Sequence, residues 1–112
     1  MSTLFGKIIR RDLPPDTVYE DDLCLAFRDI NPQAPTHVLL IPKQEIARLA
    51  DAVAGDQALL GHLLLAANKV ARQLGIEDAY RLVVNNGAAA GQSVFHLHLH
   101  ILAGRPMRWP PG

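Results

Sequence analysis

Val94-Phe95-His96-Leu97-His98-Leu99-His100-Ile101-Leu102 sets imidazole and aliphatic side chains in alternation. Successive side chains on a strand point to opposite faces, so this spacing predicts a strand over 94–102 with histidines on one side and leucines on the other. Neighbouring imidazoles on such a strand stand roughly 6.5–7 Å apart. Three of the five histidines of the chain fall within these five positions, 96–100. A hydrophobic core does not call for three adjacent imidazoles, because each brings ring nitrogens that need partners. The leucine face therefore reads as core and the histidine face as chemistry.

Working outward, residues 86–92 form a Gly/Ala-rich loop before the histidines, and Arg81–Val84 reads as a strand. Upstream lies a long amphipathic helix. Asp56 is its expected N-cap, Gly75 its stop, and Leu60, Leu63, Leu64, Ala67, Val70, Ala71 and Leu74 recur at helical spacing as one apolar face. Residues 45–54 suggest a short helix. Thr36–Ile41 is a largely apolar run, hence a central strand, and Pro42 should stop it. Leu23–Arg28 and Thr17–Glu20 read as strands joined at the turn residues Asp21-Asp22, and such a short connection fits antiparallel neighbours. A first helix capped by Ser2 or Thr3 carries Leu4, Phe5, Ile8 and Ile9, with Pro14 and Pro15 ending it. The tail from Arg105 contains three prolines and Trp109 and is expected to be irregular. Strands in meander order, with a long helix between the third and fourth, predict an α+β fold. Its sheet would be five-stranded and mainly antiparallel, with a short N-terminal helix.

The 112 residues suit a single domain, 1–112. Eleven basic side chains balance eleven acidic ones, so no positive field points to nucleic acid. Cys24 is the only cysteine, which excludes an internal disulfide and suggests a reducing compartment. Between Leu23 and Leu25 it reads as inert core. The first dozen residues lack the pattern of a secretory signal, and no apolar run is long enough to span a membrane. The expectation is a cytoplasmic protein with no membrane partner.

Two chemistries fit the three histidines. Neutral imidazoles at i and i+2 can ligate zinc, with His37 or a carboxylate completing the set. Alternatively one ring attacks an electrophile while its neighbours orient it and manage protons. Imidazole suits phosphoryl transfer, since it is largely neutral near pH 7 and leaves readily once phosphorylated. The preceding loop, Gly87-Ala88-Ala89-Ala90-Gly91-Gln92-Ser93, offers unobstructed backbone N–H groups, a hydroxyl and an amide that can cradle a phosphate. A zinc site needs no such cradle, so the balance tips to phosphate chemistry.

His96-Leu97-His98-Leu99-His100-Ile101-Leu102 resembles the signature of the histidine triad (HIT) family, three histidines alternating with apolar residues. The resemblance extends over nearly the whole chain. Phe5-Gly6-Lys7-Ile8-Ile9, Glu20-Asp21-Asp22, Asp29-Ile30, Pro32 to His37, Gly91-Gln92-Ser93-Val94 and the ending Trp109-Pro110-Pro111-Gly112 are similar to the nucleotide-binding Hint branch. It implies a homodimer that hydrolyses purine nucleoside 5'-phosphoramidates, of the adenosine type, without a cofactor or metal, with AMP or GMP as product or ligand.

By that resemblance His98 is the nucleophile, and the backbone carbonyl near His96 sets its tautomer. His100 contacts the phosphate or helps protonate the leaving amine, and His37 stands behind the triad. Ser93 and the backbone of Gln92 would hold phosphate oxygens, with Asn85 bracing the same region and Gly91 also placed at the nucleotide. Asp29, beside Ile30, would accept the ribose hydroxyls. Phe5, Ile8, Leu13 and Phe27 would form the slot for the base. Arg28 replaces a histidine of close relatives and is expected to tune base preference. His62 has no matching role and is expected to be merely exposed. The tail with Trp109 is expected near the partner subunit's site, and the face around Leu63, Val70 and Val84 is the expected dimer contact. Two other functions stay open: hydrolysis of dinucleoside polyphosphates, and nucleotide-dependent regulation with incidental catalysis.

Overall fold

In a computed structural model, which describes residues 3–11 and 15–112, five strands form one sheet with a helix on each face. Helix α1 spans Leu4–Ile9, and the Thr3 side chain caps it by accepting the Gly6 N–H at 2.9 Å. The helix ends before the prolines, with Arg11 reversing the chain at φ 64°. Ser2, Leu13 and Pro14 lie outside the described residues.

Strands β1 (Thr17–Glu20) and β2 (Cys24–Arg28) pair antiparallel. Asp21 makes their turn by accepting the N–H groups of Leu23 and Cys24 at 2.8 and 2.9 Å. β3 (Thr36–Pro42), α2 (Gln57–Gln73), β4 (Arg81–Val83) and β5 (Leu99–Ala103) complete the fold. The sheet order is β1-β2-β3-β5-β4 with every pair antiparallel. This departs from a meander, because β5 lies between β3 and β4. The last strand is thereby interior, with Leu39 opposite His100 and His37 opposite Leu102.

Four local readings change. The segment 94–98 is not a strand: the Leu97 N–H donates to the Ile46 carbonyl at 2.7 Å, so it packs on the irregular chain after β3. Alternation nevertheless survives. Leu97 and Leu99 enter the core beneath α2, while His96 and His98 face Phe5. Residues 45–54 contain no α-helix. Instead, short 3₁₀ turns at Leu49–Asp51 and Ala54–Asp56 are closed by Asp51 accepting from the Arg48 N–H and Asp56 from the Val53 N–H. Asp56 precedes α2 but makes no side-chain cap to it, its carboxylate being engaged in that turn.

Finally, Leu63 and Val70 are buried against the chain's own sheet and cannot also form a dimer contact; of the expected face, Val84 remains partly exposed. Leu64 and its neighbour Leu65 project outward. The exit from α2 follows expectation. Gly75 adopts φ 72°, its N–H bonds Arg72 O, and the Ile76 N–H bonds Ala71 O, satisfying the terminal carbonyls.

The sheet buries both faces. Cys24, Ala26, Val38, Leu40, Leu99 and Ile101 meet α2, whereas Leu25, Phe27, Leu39 and Ile41 meet Phe5 and Ile8 of α1. Since α1 is short, it leaves part of its face open, and the histidines stand there. No helix among the described residues is long and apolar enough to cross a membrane.

Candidate active site

A cleft of about 330 Å³ opens between α1, the end of β2 and the segment before β5, within the size range of small-molecule sites. Its walls are chemically divided. Phe5, Ile8, Phe27 and Leu39 supply apolar surface, and Asp29, Ser93, His98 and His100 supply polar groups. Phe5 organises the junction, its ring standing edge-on to Phe27 at 5.6 Å and to His98 at 4.9 Å. Ile30 is almost fully exposed at the rim. Arg28 also lines the cleft, with its guanidinium 3.9 Å from the Asp16 carboxylate.

The partners of the imidazoles fix their tautomers. His98 Nδ1 lies 2.7 Å from the His96 carbonyl, which can only accept, so Nδ1 carries the proton and Nε2 keeps a lone pair. His96 is buried and donates from Nε2 to the Pro42 carbonyl at 2.7 Å. It thereby anchors the segment that presents His98. His37 Nδ1 accepts the Gln33 N–H at 3.0 Å, so its proton sits on Nε2, 2.9 Å from His100 Nδ1. His100 must then accept at Nδ1 and carry its own proton on Nε2. Two rings of opposite tautomer thus stand side by side, 5.0 Å between centroids: His98 with a free electron pair, His100 with an N–H donor.

Electrostatics keep these rings neutral. Burial pushes the His98 pKa below the ordinary histidine value, a shift that the His96 carbonyl only partly opposes. His100 is pushed down to about 4 by burial and by its neighbours His98 and His37. His37 is lowered by burial, with Asp29 acting in the opposite sense. Asp29 Oδ2 lies 3.4 Å from His37 Nε2, while its Oδ1 accepts the Asn31 N–H at 2.8 Å. Asp29, His37 and His100 also bring three potential metal-ligand atoms within 4.8 Å of one another. Cys24 offers no rival nucleophile. It lies on the α2 face, where burial, and then its hydrogen bond to Asp21, push the thiol up to about 12.

The loop before the triad is braced from inside. The Gln92 side chain is buried, accepts the Gly87 N–H at 2.8 Å, and donates to the carbonyls of Ala47 and Val94 at 2.8 and 3.0 Å. The Gln92 backbone N–H is itself committed to Gly87 O at 3.1 Å, so it is not the phosphate donor expected from sequence. Gly91, at φ 101°, lies against Asn85: a Cβ there would stand 3.6 Å from the Asn85 amide nitrogen. Neither Asn85 nor Gly91 lines the cleft among the described residues, and their place is within the loop.

The expected residues therefore sort by position. Phe5, Ile8, Phe27, Asp29, Ile30, Ser93, His98 and His100 line the cleft; His37, His96 and Gln92 are buried behind it. Leu13 falls outside the described residues. Sequence reasoning missed the Gln33 N–H and the Pro42 carbonyl, backbone groups that any residue type could supply. His62 is not merely exposed, because its Nε2 lies 2.7 Å from Asp21 Oδ2. Trp109, by contrast, is 82% exposed.

Comparison with known proteins agrees with this architecture. The HIT domain profile matches residues 10–107. An uncharacterised HIT-like protein of Synechocystis sp. is 67% identical over 98% of this chain and 96% of its own length. A 14 kDa zinc-binding protein of Zea mays is 54% identical over 98% of this chain and 88% of its own. The crystal structure of a HIT family hydrolase from Legionella pneumophila superposes with a TM-score of 0.96 at 49% identity, covering 99% of this chain and 100% of that one. The chain belongs to the HIT domain family.

Proposed function

We propose that the protein hydrolyses purine nucleoside 5'-phosphoramidates through a nucleotidyl intermediate on His98. The observation that carries this reading is the His98 tautomer: Nδ1–H is committed to the His96 carbonyl, which leaves the Nε2 lone pair beside the cleft that this residue lines. In the first step Nε2 bonds to phosphorus and the phosphorus–nitrogen bond breaks. The electron pair leaves with the amine nitrogen, which takes a proton from solvent. In the second, a water oxygen attacks phosphorus and loses a proton, and the bond to Nε2 breaks, restoring the ring and releasing the nucleoside monophosphate.

His100 donates its Nε2–H to a phosphoryl oxygen as charge develops there, and the Ser93 hydroxyl holds another. Asp29 receives the ribose hydroxyls, and the purine lies on the apolar wall of Phe5, Ile8 and Phe27. Arg28 stands at the edge of that wall and tunes the choice of base. The active form is a homodimer, with the tail bearing Trp109 reaching the partner's cleft and the exposed Leu64, Leu65 and Val84 available as contact surface. Sedimentation at micromolar concentration tests this assembly: a dimer is expected, and a monomer contradicts it.

A zinc site in the cleft is the second reading, favoured by the proximity of Asp29, His37 and His100. Against it, His37 Nδ1 accepts the Gln33 N–H and so cannot take up the proton that Nε2 would have to shed in order to ligate. A kinetic panel of nucleoside phosphoramidates, acyl adenylates and dinucleoside polyphosphates on pure, metal-free protein tests the proposal. Preferential turnover of phosphoramidates supports it; turnover of polyphosphates alone, or a strict zinc requirement, overturns it.

A further inference from the structure

We propose that Asp21, Cys24 and His62 form a binding site for one zinc ion on the α2 face of the sheet, apart from the nucleotide cleft. The three donors come from separate elements: the β1–β2 turn, the first residue of β2 and the second turn of α2. Their ligand atoms all lie within 4.8 Å of one another. His62 Nε2 is 2.7 Å from Asp21 Oδ2, and Cys24 Sγ is 3.4 Å from Asp21 Oδ1. Ligand atoms around tetrahedral zinc stand about 3.3–3.8 Å apart, given Zn–N, Zn–O and Zn–S bonds of about 2.0–2.3 Å. The cluster therefore needs only small side-chain rotations to enclose an ion.

The donor set discriminates among cations. A thiolate with an imidazole selects zinc over magnesium or calcium, which prefer oxygen ligands. Charge also closes. Binding releases the Cys24 thiol proton to solvent, and the His62 proton moves from Nε2 to Nδ1. A thiolate and a carboxylate then balance the two positive charges of the ion, so a half-buried site carries no net charge.

Access exists, because the His62 and Asp21 side chains are 31% and 24% exposed while Cys24 is sealed beneath them. The Tyr19 hydroxyl, which donates to Asp21 Oδ2 at 2.8 Å, holds the carboxylate in place from the strand side, and water takes the fourth position. The cluster of Asp29, His37 and His100 lacks a sulfur ligand and belongs to the nucleotide cleft. The ion would pin the β1–β2 turn to α2 and stabilise the fold in proportion to its occupancy.

Zinc titration of the full chain, stripped by chelation, tests the site, with cobalt substitution as a spectroscopic probe. One ion per chain is expected, with a raised melting temperature and a sulfur-to-cobalt absorption band. Cys24→Ser should remove that band, and Cys24→Ser and His62→Gln should each weaken zinc binding tenfold or more. His98→Ala should bind as the wild type does. Since His62 is partly exposed, His62→Gln keeps the test decisive even if the buried serine disturbs folding. Absence of zinc uptake by the wild type, binding unchanged in His62→Gln, or binding lost instead in His37→Gln would overturn the proposal.

Discussion

Nε2 of His37 lies 2.9 Å from Nδ1 of His100, two residues separated by 63 positions in sequence. The Gln33 N–H on the far side of His37 gives this contact a direction, since it leaves the His37 proton only one ring nitrogen to occupy. The tautomer of a cleft-lining ring is thus set by a backbone amide two bonds removed from it. His37 is a positioning residue: it fixes which nitrogen of His100 carries the proton.

Replacing His37 separates positioning from packing. His37→Leu should lower kcat about ten- to a hundredfold with little change in KM. His37→Gln, whose amide can still donate to His100 Nδ1, should recover part of that loss. Steady-state kinetics of the two variants checks this; equal defects in both would mean that the ring serves only as filler.

The depressed histidines also predict how stability depends on pH. Half-buried His100 and buried His98 and His37, all neutral, have folded-state pKa values below the ordinary 6.5, His100 at about 4. As pH falls below about 6.5 the unfolded chain takes up protons that the folded chain refuses, so stability drops, and the loss levels off below the folded values. Denaturant midpoints measured from pH 7 to pH 4 should fall steadily, and His100→Gln should flatten the curve. A wild-type midpoint that stayed constant over this range would contradict the assignment of neutral rings.

Gln92 joins three backbone groups through one buried side chain. Gln92→Ala leaves those groups without their partner and should cost about 2–4 kcal/mol. Because the braced loop leads into Ser93, KM should rise as well. Chemical denaturation together with initial rates reads both effects, and a variant as stable as the wild type would show that the loop does not depend on this amide.

How much of this was legible in the sequence depended on how far each residue reaches. Thr17–Glu20, the Asp21 turn and the Gly75 stop rest on interactions within about ten positions or fewer, and their boundaries follow from residue types alone. The triad's alternation was readable as a division between core and cleft. Its backbone was not, because His96 and Leu97 are held by Pro42 and Ile46, roughly fifty residues upstream. Distance also hid the bond between His62 and Asp21, and the insertion of β5 between β3 and β4. Helical spacing could collect Leu63, Leu64 and Val70 on one stripe, but only the packed sheet decided that Leu63 and Val70 face inward while Leu64 does not. The commitment of the Gln92 N–H to Gly87 is hidden for a related reason, since a Gly/Ala loop advertises free N–H groups and conceals which of them its own turn consumes.

The most direct test of the central claim is to quench the reaction with a purine nucleoside phosphoramidate early in turnover and locate the attached group by peptide mass spectrometry. One nucleoside monophosphoryl group on His98 is expected. It should be absent in His98→Ala, which should still bind AMP but lose at least a thousandfold in turnover, about 4 kcal/mol of barrier. A nucleotidyl group on any other residue, or turnover by His98→Ala within tenfold of the wild type, would contradict the account.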